Sequence, residues 1–309
     1  MALLKSTRLN EDRACRFRRI KGAGFRLAME VTRRCNLSCQ HCFVQPDQNQ
    51  PTLEELRDVI GQAKQLGCRK LIITGGEPLL RKDLEKIIKI AVGSGLLVDL
   101  NSNLFRLTRQ RVNALKAAGL QEASVSLYGG REIHDALTQH VGAFDSTLRG
   151  IELIRDAGMT VDVHGAVWND MLPYLPKLVD TIQKRGVSSV TFFSLIPGNR
   201  SGNAIIHTYS PALVMKAVSR IREFAAIPVR TVGLCPLQEG ECVQGNGIFG
   251  IGADMRLKPC LLSEHTNNQE GIDLYSCSLK TAISLLSKQI LECEWRAACN
   301  PSVEMSHHA

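Results

Sequence analysis

The sequence predicts an α/β fold: a partial, TIM-like (β/α)6 barrel followed by a small cysteine-rich domain. Three observations carry this prediction. Short apolar runs alternate with amphipathic stretches six times between residue 27 and about residue 195. Brief Gly- or Asn-containing turns join them. After Val232 the alternation stops, and glycines and cysteines collect instead. The chain therefore divides into a basic leader over 1–26, a barrel over 27–232 and a cysteine-rich segment over 233–309.

Taken in order, Leu27–Val31 reads as the first strand. Thr52–Leu66 reads as a helix, with Thr52 as N-cap and Glu55 completing a capping box. Leu71–Ile73 (strand), Asp83–Val92 (helix), Leu96–Leu100 (strand), Thr108–Ala118 (helix) and Ala123–Leu127 (strand) continue the period. Phe144–Ala157 (helix), Thr160–Val167 (strand), Met171–Lys184 (helix) and Ser189–Ser194 (strand) complete six units, and Pro211–Ala225 adds a helix. Parallel strands with right-handed crossovers curl into one sheet and gather their following loops at its carboxyl edge, where such folds build their sites.

Composition excludes several classes. With 309 residues, 44% hydrophobic and 22% charged, the chain is globular rather than disordered or fibrous. No apolar run is long enough to cross a membrane, and charges occupy the amino terminus where a signal peptide needs its apolar segment, so the expected location is the cytoplasm. The net charge of +8 is concentrated in the leader, and with only 5% aromatics there is no basic–aromatic interleaving to suggest a nucleic-acid partner.

Eleven cysteines in such a chain point to metal or redox chemistry rather than a disulfide framework. Cys35, Cys39 and Cys42 form a CxxxCxxC triplet directly after the first strand, a spacing with a chance expectation of roughly 0.01. Three thiolates do not close a tetrahedral zinc site. A [4Fe–4S] cube on three cysteines keeps one iron open for a further ligand. One βα unit later, Gly75-Gly76-Glu77-Pro78 follows a buried strand, a tight turn whose bare backbone can approach a small polar ligand. Taken alone, that turn also fits an ordinary strand-to-helix junction with Pro78 at the first helical position.

The triplet, with His41 in the usually aromatic place before its last cysteine, and the following Gly-Gly-Glu-Pro turn resemble the radical S-adenosylmethionine (SAM) superfamily from residue 27 to about 200. The resemblance implies a [4Fe–4S] cluster on Cys35, Cys39 and Cys42 that chelates SAM through its open iron, and an electron donor of flavodoxin or ferredoxin type. It implies SAM contacts at Gly75, Gly76, Glu77, Pro78 and His41, at Asn101 and Asn103 toward the ribose, at Ser126, and at Asn169 and the Leu195–Gly198 turn toward the adenine. Tyr128 stands where many relatives carry Asp, and no role is transferred to it.

Six further cysteines lie in the last 75 residues. Gly250–Cys260 reads as a hairpin turning at Ala253-Asp254 that lifts Cys260 toward Cys235 and Cys242. The segment resembles the SPASM/twitch extension of radical SAM maturases. The tail departs from the full form, since Ile290 and Val303 stand where cysteines are expected. This favours a single auxiliary [4Fe–4S] cluster on Cys235, Cys242, Cys260 and either Cys293 or Cys299; a zinc site of the same residues is the alternative. The resemblance implies hydrogen abstraction from a peptide or protein side chain; no recognition domain fits in the 26 residues ahead of the first strand, so a peptide substrate is expected to need a separate carrier protein or a direct grip. The alternatives are a small-molecule enzyme, of tetrapyrrole-decarboxylase or sugar-alcohol-dehydrogenase type, and a non-catalytic iron–sulfur or zinc scaffold. Cys277, Tyr128 and His164 are candidates for supplying a proton or second hydrogen atom.

Overall fold

The computed structural model describes residues 24–42, 44, 47–194, 210–232, 248–259, 261 and 271–289. Strands β1 (Phe25–Glu30), β2 (Cys68–Thr74), β3 (Leu97–Ser102), β4 (Glu122–Ser126), β5 (Thr160–Val167), β6 (Ser189–Ser194) and β7 (Val229–Val232) pair in parallel, each with the next. β8 (Ile248–Ile251) returns to pair in parallel with β1, and β9 (Arg256–Lys258) and β10 (Ile272–Asp273) extend that edge antiparallel. The order is β10-β9-β8-β1-β2-β3-β4-β5-β6-β7, with no pairing between its ends among the described strands. The curled sheet is an open barrel of the expected class.

The helices are α1 (Leu53–Gln65), α2 (Leu84–Gly93), α3 (Arg109–Ala117), α4 (Arg131–Thr138), α5 (Ala143–Asp156), α6 (Leu175–Gln183), α7 (Pro211–Phe224) and α8 (Leu279–Gln289). α1 begins with the expected capping box: the Thr52 hydroxyl accepts from Glu55 N, and Thr52 N donates to Glu55 Oε2 at 2.6 Å. Strand alternation sorts the side chains. Leu71, Ile73, Val161 and Val163 turn outward against the helices and are buried, each worth about 1.5–3 kcal/mol. The alternate positions, among them Lys70, Asp99, Ser124, Asp162 and His164, turn into the lumen.

Three features differ from the sequence reading. α4 is an eight-residue helix that the sequence reading leaves unassigned. The expected Met171–Lys184 helix is a 3-10 turn over Asn169–Tyr174 followed by α6, because Pro173 and Pro176 lack the amide hydrogens of a continuous α-helix. Beyond Val232, the described residues continue the barrel sheet through β8, and α8 packs beside α1 with Leu279 N donating to Gln62 Oε1 at 2.8 Å. No described helix is long and apolar enough to cross a membrane.

Candidate active site at the carboxyl edge of the barrel

The loop that leaves β1 carries Cys35, Cys39 and Cys42, all half-buried. Its two ends are pinned by one guanidinium: buried Arg81 donates through Nη1 to Val31 O at 2.7 Å and Pro51 O at 2.8 Å, and grips Asp83 with Nε and Nη2. Its middle is held by α4, where Ser38 N donates to Thr138 O and Gln40 N to Leu137 O. Leu37, Phe105 and Ala143 form an apolar layer against which Cys35 and Cys39 pack. Burial raises the Tyr128 phenol pKa first, and negative charge at Cys39, Cys42 and Cys35 raises it further, whereas a hydrogen bond from Ser126 opposes the rise. No trio of His, Cys, Asp or Glu among the described residues is arranged to hold a single metal ion. Three soft thiolates on one loop fit an iron–sulfur cube with a free corner.

The Gly75-Gly76 turn is seated on this loop. Gly76 N donates to Thr32 O and Glu77 N to Arg34 O, both at 2.8 Å. A Cβ on Gly75, whose φ is +137°, would lie 2.2 Å from Thr32 O, and one on Gly76 would lie 2.3 Å from Arg34 O. The missing side chains therefore make room for the backbone that leads into the cysteines. Glu77 follows in the same turn. It is fully buried, its Oε1 accepts from Leu79 N and Ser102 Oγ, and its Oε2 accepts from Asn103 N at 2.9 Å. Burial raises its pKa against these three donors. Its side chain clamps the two loops together. Pro78 opens the short 3-10 turn that follows.

Asn103 continues the clamp: its Nδ2 donates to Asn36 Oδ1 at 2.9 Å, beside Cys35, and its Oδ1 accepts from Phe105 N. Asn101, two residues earlier on β3, has a buried Oδ1 with no hydrogen-bond partner. Such an orphan costs about 1–3 kcal/mol, and a bound ligand with N–H or O–H donors would satisfy it, so the residues present fit SAM. Ser126 turns toward the Tyr128 hydroxyl. Asn169 Oδ1 accepts from Ser210 N at 2.9 Å and so fastens the start of α7 to the end of β5.

His41 and Tyr128 meet across 87 residues. His41 Nε2 lies 3.0 Å from the Tyr128 hydroxyl, its ring packs edge-on at 4.7 Å, and its buried Nδ1 has no partner. Tyr128 stacks on His134, whose Nδ1 accepts from Tyr128 N at 3.2 Å. Burial lowers both histidines to about 4, so both are neutral near pH 7. Sequence reasoning missed Arg81, His134 and the placement of Tyr128; the only local signal was the position of His134 on the apolar face of α4.

Below the loops the lumen is polar. Lys70 Nζ binds Glu122 Oε2 at 2.5 Å and lies 3.9 Å from Asp99, which Ser124 also bonds. Burial, then the Glu122 charge, raises the Asp99 pKa. Asp162 accepts from Ser189 Oγ and Thr191 Oγ1 and lies 3.3 Å from His164 Nε2; burial opposes its ionisation, but these donors hold its pKa below the usual value. Arg230 lies 3.6 Å from the same carboxylate. His164 thus faces the lumen, whereas Cys277 lines a small cavity over α1 with Glu55, Asp58 and Tyr275.

The β8–β9 hairpin turns at Ala253-Asp254 as expected, and it is tied to the cysteine loop. Arg33 reaches Asp254 at 3.1 Å, Asp47 at 3.2 Å and Glu30 at 3.5 Å, while Glu30 accepts from Ala253 N. Cys235, Cys242, Cys260, Cys293, Cys299 and the Leu195–Gly198 turn lie outside the described residues.

Residues 29–174 match a family profile described as Radical SAM superfamily. The chain is 35% identical over 265 residues to an AdoMet-dependent heme synthase of Methanosarcina barkeri, a match covering 76% of each chain. It is 25% identical over 260 residues to the PqqA peptide cyclase of Bradyrhizobium diazoefficiens, covering 79% of this chain and 68% of that one. Against two other AdoMet-dependent heme synthases it spans about half of their length, 46% and 49%. Streptococcus suis SuiB bound to S-adenosylmethionine superposes with a TM-score of 0.73 at 16% identity, over 87% of this chain and 70% of that one, a likeness of fold.

Proposed function

The chain belongs to the radical SAM superfamily and is an enzyme of that class, and from this premise we propose that it abstracts hydrogen from a carboxylated tetrapyrrole held in the barrel mouth. The observation that supports the SAM chemistry is the seating of the Gly75-Gly76 turn on the cysteine loop, with an unsatisfied Asn101 Oδ1 on the adjacent strand β3. Cys35, Cys39 and Cys42 would hold a [4Fe–4S] cluster, which would supply the electron for reductive cleavage of SAM and so the radical chemistry that removes hydrogen from substrate.

The chain's own residues do the positioning. Arg81 and α4 hold the three thiols in one loop. Glu77 fixes that loop's neighbour against Asn103, and Asn101 offers its amide oxygen to the nucleoside. Neutral His41 and Tyr128 wall the site with apolar ring surface and keep bulk water from the thiols. His164 and Arg230 provide cationic or hydrogen-bonding groups in the lumen for a substrate carboxylate, with Asp162 orienting both.

The tetrapyrrole reading rests on the identity shared with the heme synthase of M. barkeri. Modification of a peptide side chain, which the SPASM/twitch-like tail favours, is the second reading; the match to the PqqA peptide cyclase supports it. Under either reading, an auxiliary [4Fe–4S] cluster on Cys235, Cys242, Cys260 and Cys293 or Cys299 is proposed, and the hairpin supports it by leading the chain to Pro259, one residue before Cys260. The test is anaerobic reconstitution with iron, sulfide, dithionite and SAM. Release of 5′-deoxyadenosine supports the chemistry. Its stimulation by a propionate-bearing tetrapyrrole selects the first substrate class, and absence of deoxyadenosine from a fully loaded protein refutes the reading.

A further inference from the structure

The hairpin between β8 and β9 turns through a strained residue. Met255 has φ of 58°, a left-handed value that a non-glycine residue keeps only where its surroundings hold it. It is buried, its N–H donates to Gly252 O at 2.9 Å, and its carbonyl accepts from Leu274 N at 3.1 Å. The turn presents one carboxylate. A Cβ on Gly252 would stand 2.3 Å from Asp254 Oδ1, so the missing side chain leaves room for that oxygen, which also accepts from Arg256 N at 3.2 Å. The fully buried Lys258 lies 3.4 Å from Asp254 Oδ2.

The same Oδ2 accepts from Arg33 Nη2 at 3.1 Å, across 221 residues of sequence. Arg33 joins three segments: its Nη1 also meets Asp47, further along the cysteine loop, at 3.2 Å, and its Nε lies 3.5 Å from Glu30 at the end of β1. Its backbone lies against the glycine turn, since a Cβ on Gly76 would stand 2.8 Å from Arg33 O. Arg33 is therefore wedged between the Gly75-Gly76 turn and the hairpin, two positions before Cys35. Asp47 is a local partner, on the same loop and a third exposed, and Asn49 N and Nδ2 donate to it as well. Asp254 is the partner that fastens the loop to a distant part of the chain.

We propose that Asp254 is a positioning residue for the SAM site: acting through Arg33, it sets where Cys35 stands relative to the Gly75-Gly76 turn, so the site is complete only while the β8–β9 hairpin is docked. The inference rests on the radical SAM reading and names a residue pair that keeps that reading's ligands together. A guanidinium anchored on both the hairpin and β1 is fixed in place and angle, whereas one held only by Glu30 and Asp47 moves with its own loop. The left-handed Met255 closes the turn with the Asp254 carboxylate facing Arg33.

The experiment uses the full chain in two states. In the cluster-free protein, alkylation of individual cysteines by iodoacetamide is followed by peptide mapping. In the reconstituted protein, SAM is titrated and its dissociation constant is read from the change in the electron paramagnetic resonance signal. D254N is expected to raise the Cys35 alkylation rate about fivefold or more, and to weaken SAM binding by a similar factor at full iron content. Cys68, buried in β2, reports global opening, and its rate should not change. D47N takes a carboxylate from the same guanidinium without freeing the hairpin, and it should stay within about twofold of wild type. R33K should reproduce D254N, and the double variant should be no worse than R33K, because both substitutions break one contact. Wild-type Cys35 reactivity and SAM affinity in D254N would overturn the proposal. An equal effect of D47N would overturn it by assigning the change to charge at Arg33, and a parallel rise at Cys68 by making Asp254 a residue of the fold alone. If D254N does not fold, R33K carries the test, and unchanged Cys35 reactivity in R33K overturns the proposal. A loaded wild-type protein whose cluster signal SAM leaves unmoved is a separate result: it refutes the radical SAM reading, while alkylation of the cluster-free protein still judges the tie.

Discussion

Gly76→Ala tests how the glycine turn and the cysteine loop are joined. Gly76 does not have a left-handed φ, so the cost of the substitution is purely steric. Its Cβ would stand 2.3 Å from Arg34 O, 2.7 Å from Arg34 C and 2.8 Å from Arg33 O, all backbone atoms. Reaching ordinary contact requires the two segments to part by about 1 Å, an overpacking cost of about 1–3 kcal/mol. It also stretches the Gly76 N–Thr32 O and Glu77 N–Arg34 O bonds, each worth about 1 kcal/mol. The sum is about 3–5 kcal/mol, or roughly 6–10 °C in melting temperature at about 2 °C per kcal/mol for a chain of this size. Gly61 is the control: it lies within α1 with nothing within 4 Å of its Cβ position, so Gly61→Ala should stabilise by about 0.4–1 kcal/mol. Thermal unfolding of both variants, with iron content after reconstitution, provides the assay. A Gly76→Ala protein that melts with wild type and retains full iron would show that the turn is not seated on the cysteine loop.

Glu77→Gln replaces an acceptor serving three donors with a group that presents its own N–H, so chemical denaturation should show a loss of about 2–3 kcal/mol; an equally stable variant would mean that the clamp is not formed. Arg81→Lys cannot hold Val31 O, Pro51 O and both Asp83 oxygens at once, and it should cost about 3 kcal/mol and lower iron retention; unaltered iron retention would remove Arg81 from the loop's support. His134 titrates at about 4 in the fold because burial disfavours its charge, against an ordinary 6.5. The unfolded chain therefore takes up its proton first as pH falls. The stability this difference protects is whole above pH 6.5 and is lost toward pH 4, by about 3 kcal/mol in all. Replacing His134 with Asn, which keeps an acceptor for Tyr128 N, should flatten the pH dependence of urea unfolding in that window, and an unchanged slope would contradict the burial argument.

The barrel was legible because its signals are local. Thr160–Val167 and Ser189–Ser194 alternate with period two, and their ends coincide with the strands formed; Thr52 and Glu55 lie three residues apart, and the capping box follows from that spacing alone. The partners of those elements were not legible. β8 pairs with β1 from more than 200 residues away, and nothing in the four residues Ile248–Ile251 states which edge they will join. The same holds within the site. The cysteine triplet and the Gly-Gly-Glu-Pro turn can be read from spacing, but that Gly76 makes room for Arg34, that Glu77 grips Asn103, or that His41 meets Tyr128 depends on which loops the sheet brings together. α4 escaped notice because eight residues between glycine-bearing turns hold little more than two turns of helical period.

The central claim is that Cys35, Cys39 and Cys42 hold an iron–sulfur cube whose fourth iron takes SAM. Electron paramagnetic resonance of the anaerobically reconstituted, dithionite-reduced protein, recorded before and after addition of SAM, tests it directly. The account predicts a [4Fe–4S]+ signal that shifts when SAM is added and is lost with the SAM response in Cys42→Ala. A zinc-loaded protein without that signal, or a cluster signal that SAM leaves unmoved, would contradict it.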